Sequence, residues 1–327
     1  MDSILYKDIR VPVILDRPLY TGKSIKEVYS NLNITPVIGS STPIVDGSST
    51  PIVDGSSDTI VELYSILTKT LEITLTPNIP YRNAHSMVAI SNDIYIYGGS
   101  SGGVLNDFYK IDTLTCNPIK IETSTIDSIV SRSEHNMVAI NNDIYIYGGR
   151  YSTTYFDDFY KIDTLTCNAI KIETSTIASI GSRYNHGMVA ISNYIYIFGG
   201  VNGSATSNTF YKIDTTTCNA TQMNLTPVNT PVNSISAKDM RSMVAINNDI
   251  YIYGGRYDTN ELYKIDTTTC NVTTIFTQEP NVLPILTWHS MVALNNDIYI
   301  YGGMVHGNED AVDTFYKIDT ITCNVMT

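Results

Sequence analysis

The stretch Met137-Val-Ala-Ile-Asn-Asn-Asp-Ile-Tyr-Ile-Tyr-Gly-Gly149 decides the fold. A short apolar run, a polar turn, a strictly alternating Ile-Tyr-Ile-Tyr run and a glycine pair read as a β-hairpin. Asn142-Asp143, like Asn92-Asp93, Asn248-Asp249 and Asn296-Asp297, suits a tight turn because Asn and Asp tolerate positive φ. Alternation places Ile and Tyr of the second strand on opposite faces. The same stretch recurs from Met87, Met188, Met243 and Met291. Its glycine pairs are Gly98-Gly99, Gly148-Gly149, Gly199-Gly200, Gly254-Gly255 and Gly302-Gly303.

Each copy continues through a loop of variable length into Phe/Leu-Tyr-Lys-Ile-Asp and then Thr-Cys-Asn. That adds a third and a fourth strand, so each repeat of about 50 residues makes a four-stranded antiparallel sheet, strands a to d. Such a sheet buries neither face alone and must stack around an axis, which gives an all-β β-propeller. The glycine pair, an Arg-x-x-His before strand a (Arg82 to His85) and a Tyr-x-x-Asp in strand c (Tyr109 to Asp112) resemble kelch repeats over about residues 82 to 327. The resemblance departs at one place. Kelch repeats carry a Trp six or seven residues after the strand-c Asp, whereas the sixth position here holds Pro118, Ala169, Ala220, Val272 and Val325. Smaller groups must fill that inter-blade contact.

Five copies are clear. Glu62-Leu-Tyr-Ser-Ile-Leu-Thr-Lys-Thr-Leu-Glu-Ile73 matches strands c and d of a sixth, degenerate blade, so six blades are expected, with five the alternative. Residues 59–327 are assigned to the propeller. Residues 34–58 hold Ser-Thr-Pro-Ile-Val-Asp-Gly-Ser twice in tandem, a linker or irregular strands of the degenerate blade. Residues 1–33 lie outside the repeat and read as an arm or anchor, with a short helix expected over Gly22 to Leu32.

Composition narrows function. A net charge of −12 disfavours nucleic acid. No run of about 20 apolar residues is present to span a bilayer. The N-terminus lacks the pattern of a secretory signal, which points to the cytoplasm. The five cysteines (Cys116, Cys167, Cys218, Cys270, Cys323) are one repeated position at spacings of 51, 51, 52 and 53, hence free thiols. Asp112, Asp163, Asp214, Asp266 and Asp319 read as turn caps. His85, His135, His186 and His289, with Arg241 at the fourth copy, read as structural rather than metal-binding. No cofactor and no catalytic group are expected.

In a four-stranded antiparallel blade the d–a and b–c loops emerge together. Arg82, Arg132, Arg183 and Lys238 before strand a should therefore share a mouth with Ser100, Arg150, Val201, Arg256 and Met304 after the glycine pair. Tyr151, Tyr155, Asn202, Tyr257 and His306 lie nearby in the loops. Six cations at one mouth would reverse the local sign of an acidic protein, and Arg with Tyr are typical interface anchors. The three repeated arginines have a second reading, as scaffold ion pairs. Kelch substrate adaptors of ubiquitin ligases bind acidic peptide motifs at this mouth, so the resemblance implies a protein or peptide partner, with an acidic one among the candidates. The alternative is a structural or attachment protein tethered through residues 1–58 to a larger assembly, such as a virion, where it binds protein or glycan. The Ile, Asn, Tyr and Thr bias fits an AT-rich genome of a protist or its large viruses. A sugar-active enzyme is the third reading.

Overall fold

The computed structural model describes the segments Ile4–Tyr6 and Ile9–Val11 and residues 79–326, apart from 204, 229–234, 236–241, 256–259, 276–282 and 306–310. The chain divides into two compact units, Met1–Ile73 and Thr74–Thr327. In the first, Ile4–Tyr6 and Ile9–Val11 form a small antiparallel hairpin. The half-repeat at 62–73, the tandem octapeptide and the helix expected at 22–32 lie outside the described residues.

The second unit is a β-propeller of five described blades. Strands a to d are Ser86–Ile90, Asp93–Tyr97, Phe108–Asp112 and Pro118–Ile121 in blade I. They are Asn136–Ile140, Asp143–Tyr147, Phe159–Asp163 and Asn168–Lys171 in blade II. In blade III they are Gly187–Ile191, Tyr194–Phe198, Phe210–Asp214 and Asn219–Met223. In blade IV they are Ser242–Ile246, Asp249–Tyr253, Leu262–Asp266 and Asn271–Ile275. Blade V has Ser290–Leu294, Asp297–Tyr301, Phe315–Asp319 and Val325–Met326. Every sheet runs a-b-c-d, and blade IV gains an edge strand, Thr226–Pro227, parallel to its strand d.

The alternation read in strand b builds the core. Tyr95, Tyr97 and Phe108 of blade I meet Met137, Ile144, Ile146, Tyr160 and Ile162 of blade II in one buried cluster. Tyr145, Tyr147 and Phe159 then meet Met188, Ile195 and Ile197 of blade III. The tyrosine side of each sheet packs on the isoleucine side of the next, and two further clusters repeat this through blade V. At the two ends of the series the pattern opens. Tyr301 is 54% exposed where Tyr97, Tyr147 and Tyr253 are at 0%, and Met87 is 56% exposed where Met137 is at 5%.

The glycine pair follows from inter-blade contact. Gly98 has φ +62, and a Cβ there would lie 2.6 Å from the Arg132 carbonyl oxygen and 3.0 Å from the His135 ring of the next blade. Gly98→Ala combines a left-handed backbone with a clash against immovable main chain, so it is expected to cost more than about 2 kcal/mol. A denaturant titration checks this; a loss below about 0.5 kcal/mol would mean the blades slide to accommodate the methyl.

Two details differ from the sequence reading. The left-handed residue of each a–b turn is the first one, Ser91, Asn141, Ser192, Asn247 and Asn295, while the following Asn is not left-handed. The aspartate instead starts strand b and pairs with the strand-c lysine, as in Asp93–Lys110 at 2.8 Å. The linkers after blades I and II also contain single helical turns, Ser124–Asp127 and Ser175–Ala178, capped by Thr123 and Thr174. In two copies these turns dock at the position that lacks the tryptophan. The Ala169 amide donates to Thr125 Oγ1 at 3.0 Å and the Ala220 amide to Thr176 Oγ1 at 3.0 Å.

Candidate functional site

The arginines before strand a turn into their own blades. Arg82 Nη1 and Nη2 donate to the two Asp107 carboxylate oxygens at 2.5 and 2.8 Å. Arg132 makes the same fork with Asp158, adds the Gly148 carbonyl at 2.9 Å, and is 0% exposed. Its guanidinium lies over the rings of Phe156 and Tyr160. Arg183, 2% exposed, donates to the carbonyls of Gly199, Ile180 and Gly181 and to Thr209 Oγ1. The backbone of Arg132 meanwhile docks on blade I, accepting from Gly99 N–H and donating to Leu105 O, each within 3.0 Å. Position before strand a identifies the loop, but side-chain direction commits these three guanidinium groups to the scaffold.

The residues after the glycine pair do lie beside the d–a loops. Antiparallel bridges join Asn83 to Ser100, Ser133 to Arg150, Tyr184 to Val201 and Thr287 to Met304. Arg150 Nη2 donates to Glu134 Oε1 at 2.6 Å, and its guanidinium lies 4.9 Å over Tyr184. Tyr184 stacks on Tyr155, with centroids 5.2 Å apart and planes within 12°. Tyr151 is exposed, as is Asn202, whose Oδ1 accepts from Ser182 Oγ at 3.4 Å. Lys238, Arg256, Tyr257 and His306 lie outside the described residues. Of the six expected cations, three face inward, Arg150 is paired with a carboxylate, and two are not described.

Between the blades the d–a loops bring together residues that the repeat pattern hid. Ala84, Glu134, Asn185 and Trp288 each precede the repeat histidine, and each is left-handed, with φ of 53°, 58°, 53° and 54°. The a–b and c–d turns use the same backbone, so the left-handed bend belongs to the repeat, and what sets this position apart is its varied side chain. The Glu134 amide donates to Ala84 O at 2.9 Å and the Asn185 amide to Glu134 O at 3.0 Å, so a main-chain belt passes from blade to blade. These residues, with Asn83, Asn136, Arg150 and Tyr184, line a concavity of about 900 Å³. Trp288, the chain's single tryptophan, is 56% exposed there. The available signal in the sequence was variability: this position holds Ala84, Glu134, Asn185, Met240 and Trp288, and the one before it varies too, while the histidine that follows recurs in four of five copies.

Beneath the concavity the histidines support the blades. His135, His186 and His289 are buried and meet Tyr97, Tyr147 and Tyr253 of the preceding blade edge-on. Burial lowers all three, His135 well below the usual range, His186 to about 3 and His289 to about 4. Among the described residues no cluster of His, Cys, Asp or Glu has the geometry to hold a metal ion. The five cysteines are free and sit, left-handed, in the c–d turns. Each repeat aspartate caps that turn, as Asp112 Oδ1 accepts from the amides of Leu114 and Thr115 at 2.8 and 2.9 Å.

A family model, the KLHDC2/KLHL20/DRC7 Kelch-repeats domain, matches residues 37–223 and 185–327. The chain belongs to the kelch-repeat proteins. Kelch domain-containing protein 3 of Rattus norvegicus and that of Mus musculus are each 26% identical to it over 210 residues, covering 56% of this chain and 53% of each relative. The chain thus spans about half the length of the curated relatives it matches. No helix among the described residues is long and apolar enough to cross a membrane.

Proposed function

We propose that this kelch propeller is a binding protein whose central mouth takes a peptide or a protruding loop of a partner protein. The observation that carries this reading is the ring of left-handed residues, Ala84, Glu134, Asn185 and Trp288, displayed on a belt of otherwise repeated structure. The left-handed position of the c–d turns carries the same cysteine in every blade, whereas this one carries a different residue in each described blade. Here the side chains differ from blade to blade and surround one concavity. Side-chain amides of Asn83 and Asn185 offer donors and acceptors suited to a peptide main chain, and Trp288 offers an apolar anchor with one N–H. The described mouth balances Arg150 with Glu134, so a partner is selected by shape and hydrogen bonding more than by net charge.

The single tryptophan is also the reporter. Partner binding is expected to shift and strengthen its emission, since an exposed indole becomes desolvated. Bait carrying Trp288→Ala and Arg150→Ala together should lose at least about tenfold in capture of the partner taken by the wild-type chain, with its melting temperature within about 2 °C. Undiminished capture by the folded double variant would overturn the assignment of the mouth.

A further inference from the structure

Blade III breaks the arginine fork, and it does so at two positions at once. In blades I and II the residue before strand c is Asp107 or Asp158, which takes both guanidinium nitrogens of the arginine. In blade III that residue is Thr209, whose hydroxyl meets only Nη1 of Arg183, at 3.3 Å. Two residues earlier, Phe156 of blade II covers Arg132 at 4.5 Å. The corresponding residue of blade III is Ser207, hydrogen-bonded to Thr209 Oγ1 at 2.8 Å. The carboxylate and the covering ring are thus both replaced by small hydroxyl residues. Arg183 nevertheless stays 2% exposed.

Charge makes this arrangement unusual. The acceptors around Arg183 are carbonyls and hydroxyls, all formally neutral, and no carboxylate reaches it among the described residues. A buried guanidinium without a counter-charge is costly, and arginine does not escape by losing its proton. Ser207 and Thr209 are only half-buried, so the place opens toward solvent through them. The contact between the two hydroxyls uses one of their protons, and the other can join the guanidinium in donating to a monatomic anion.

We propose that blade III binds a monovalent inorganic anion, chloride in ordinary solution, between Arg183, Thr209 and Ser207, where blades I and II carry an aspartate. The ion is a structural counter-charge. It does not depend on the mouth as a binding site, because it serves a buried scaffold residue.

The test compares thermal melts of the intact chain in sodium chloride and in sodium gluconate at equal ionic strength. The wild-type melting temperature is expected to rise saturably by about 3 °C between zero and 150 mM chloride. Thr209→Asp supplies the missing carboxylate, so it should melt higher than wild type in gluconate and no longer respond to chloride. Equal wild-type curves in the two salts would overturn the proposal, and that comparison needs no variant to fold. An undiminished chloride response in folded Thr209→Asp would also overturn it, by placing the ion elsewhere.

Discussion

Asp158→Ala is expected to destabilise the propeller by about 3–5 kcal/mol, because it leaves the Arg132 guanidinium buried with no counter-charge. Arg132 is at 0% exposure, and Asp158 takes both of its terminal nitrogens. Its remaining acceptors are carbonyls, Gly148 O and Val130 O. The damage would reach the blade I interface, since the same residue docks its main chain against Leu105 and Gly99. Equilibrium unfolding in urea measures the loss, and Asp158→Asn should fall between wild type and alanine because the amide oxygen keeps one acceptor. Arg150→Ala is the control. Its side chain is 39% exposed and the Glu134 left behind is 17% exposed, so the cost should stay well below that of Asp158→Ala. A loss below about 1 kcal/mol for Asp158→Ala would show that the blade relaxes to hydrate Arg132.

The second large effect is acid lability. Three histidines are buried uncharged, with His186 lowered to about 3 and His289 to about 4 by loss of solvent, and His135 lowered well below its ordinary value by the same cause. In the unfolded chain each titrates near 6.5. Between that value and the folded one, the unfolded state binds more protons, so stability falls as pH falls. The loss begins near pH 6.5 and grows down to about pH 4 for His289 and about pH 3 for His186. At pH 5 His186 and His289 each remove about 2 kcal/mol, and His135 acts in the same direction. Together they take a large part of the stability of an ordinary domain. The urea midpoint should therefore drop steeply between pH 6.5 and 5, and His289→Gln should flatten the slope by about one proton. A midpoint unchanged from pH 7 to 5 would mean that the histidines find acceptors on protonation.

Most of the architecture was legible because the repeat writes it five times. Ile-Tyr-Ile-Tyr predicted two faces, and the clusters place tyrosine toward one neighbour and isoleucine toward the other. Asp112 and its copies cap turns as their sequence neighbours implied. The mouth was less legible, for two physical reasons. A loop position says nothing about which way a long side chain turns, so Arg82, Arg132 and Arg183 read equally well as ligand anchors or as scaffold. And Glu134, Asn185 and Trp288 adopt a conformation that glycine would have advertised and that these residues do not. One-turn helices such as Ser124–Asp127 are too short to leave a period.

The contact between glycine and histidine bears on how such a chain arises. Four of the five repeats present a histidine edge at their start, and every repeat presents a Tyr/Phe-Gly-Gly edge at the end of its second strand; the first fits the second of the preceding copy. The interface is heterologous, a plug and a socket on every unit. A duplicated unit therefore arrives carrying both halves of the contacts it needs, and it disturbs neither neighbour. Gene duplication in register is conservative for this architecture, whereas a single change at a glycine or its opposing histidine is not. Drift is then channelled into positions outside the plug and socket, which are the loop residues that ring the mouth.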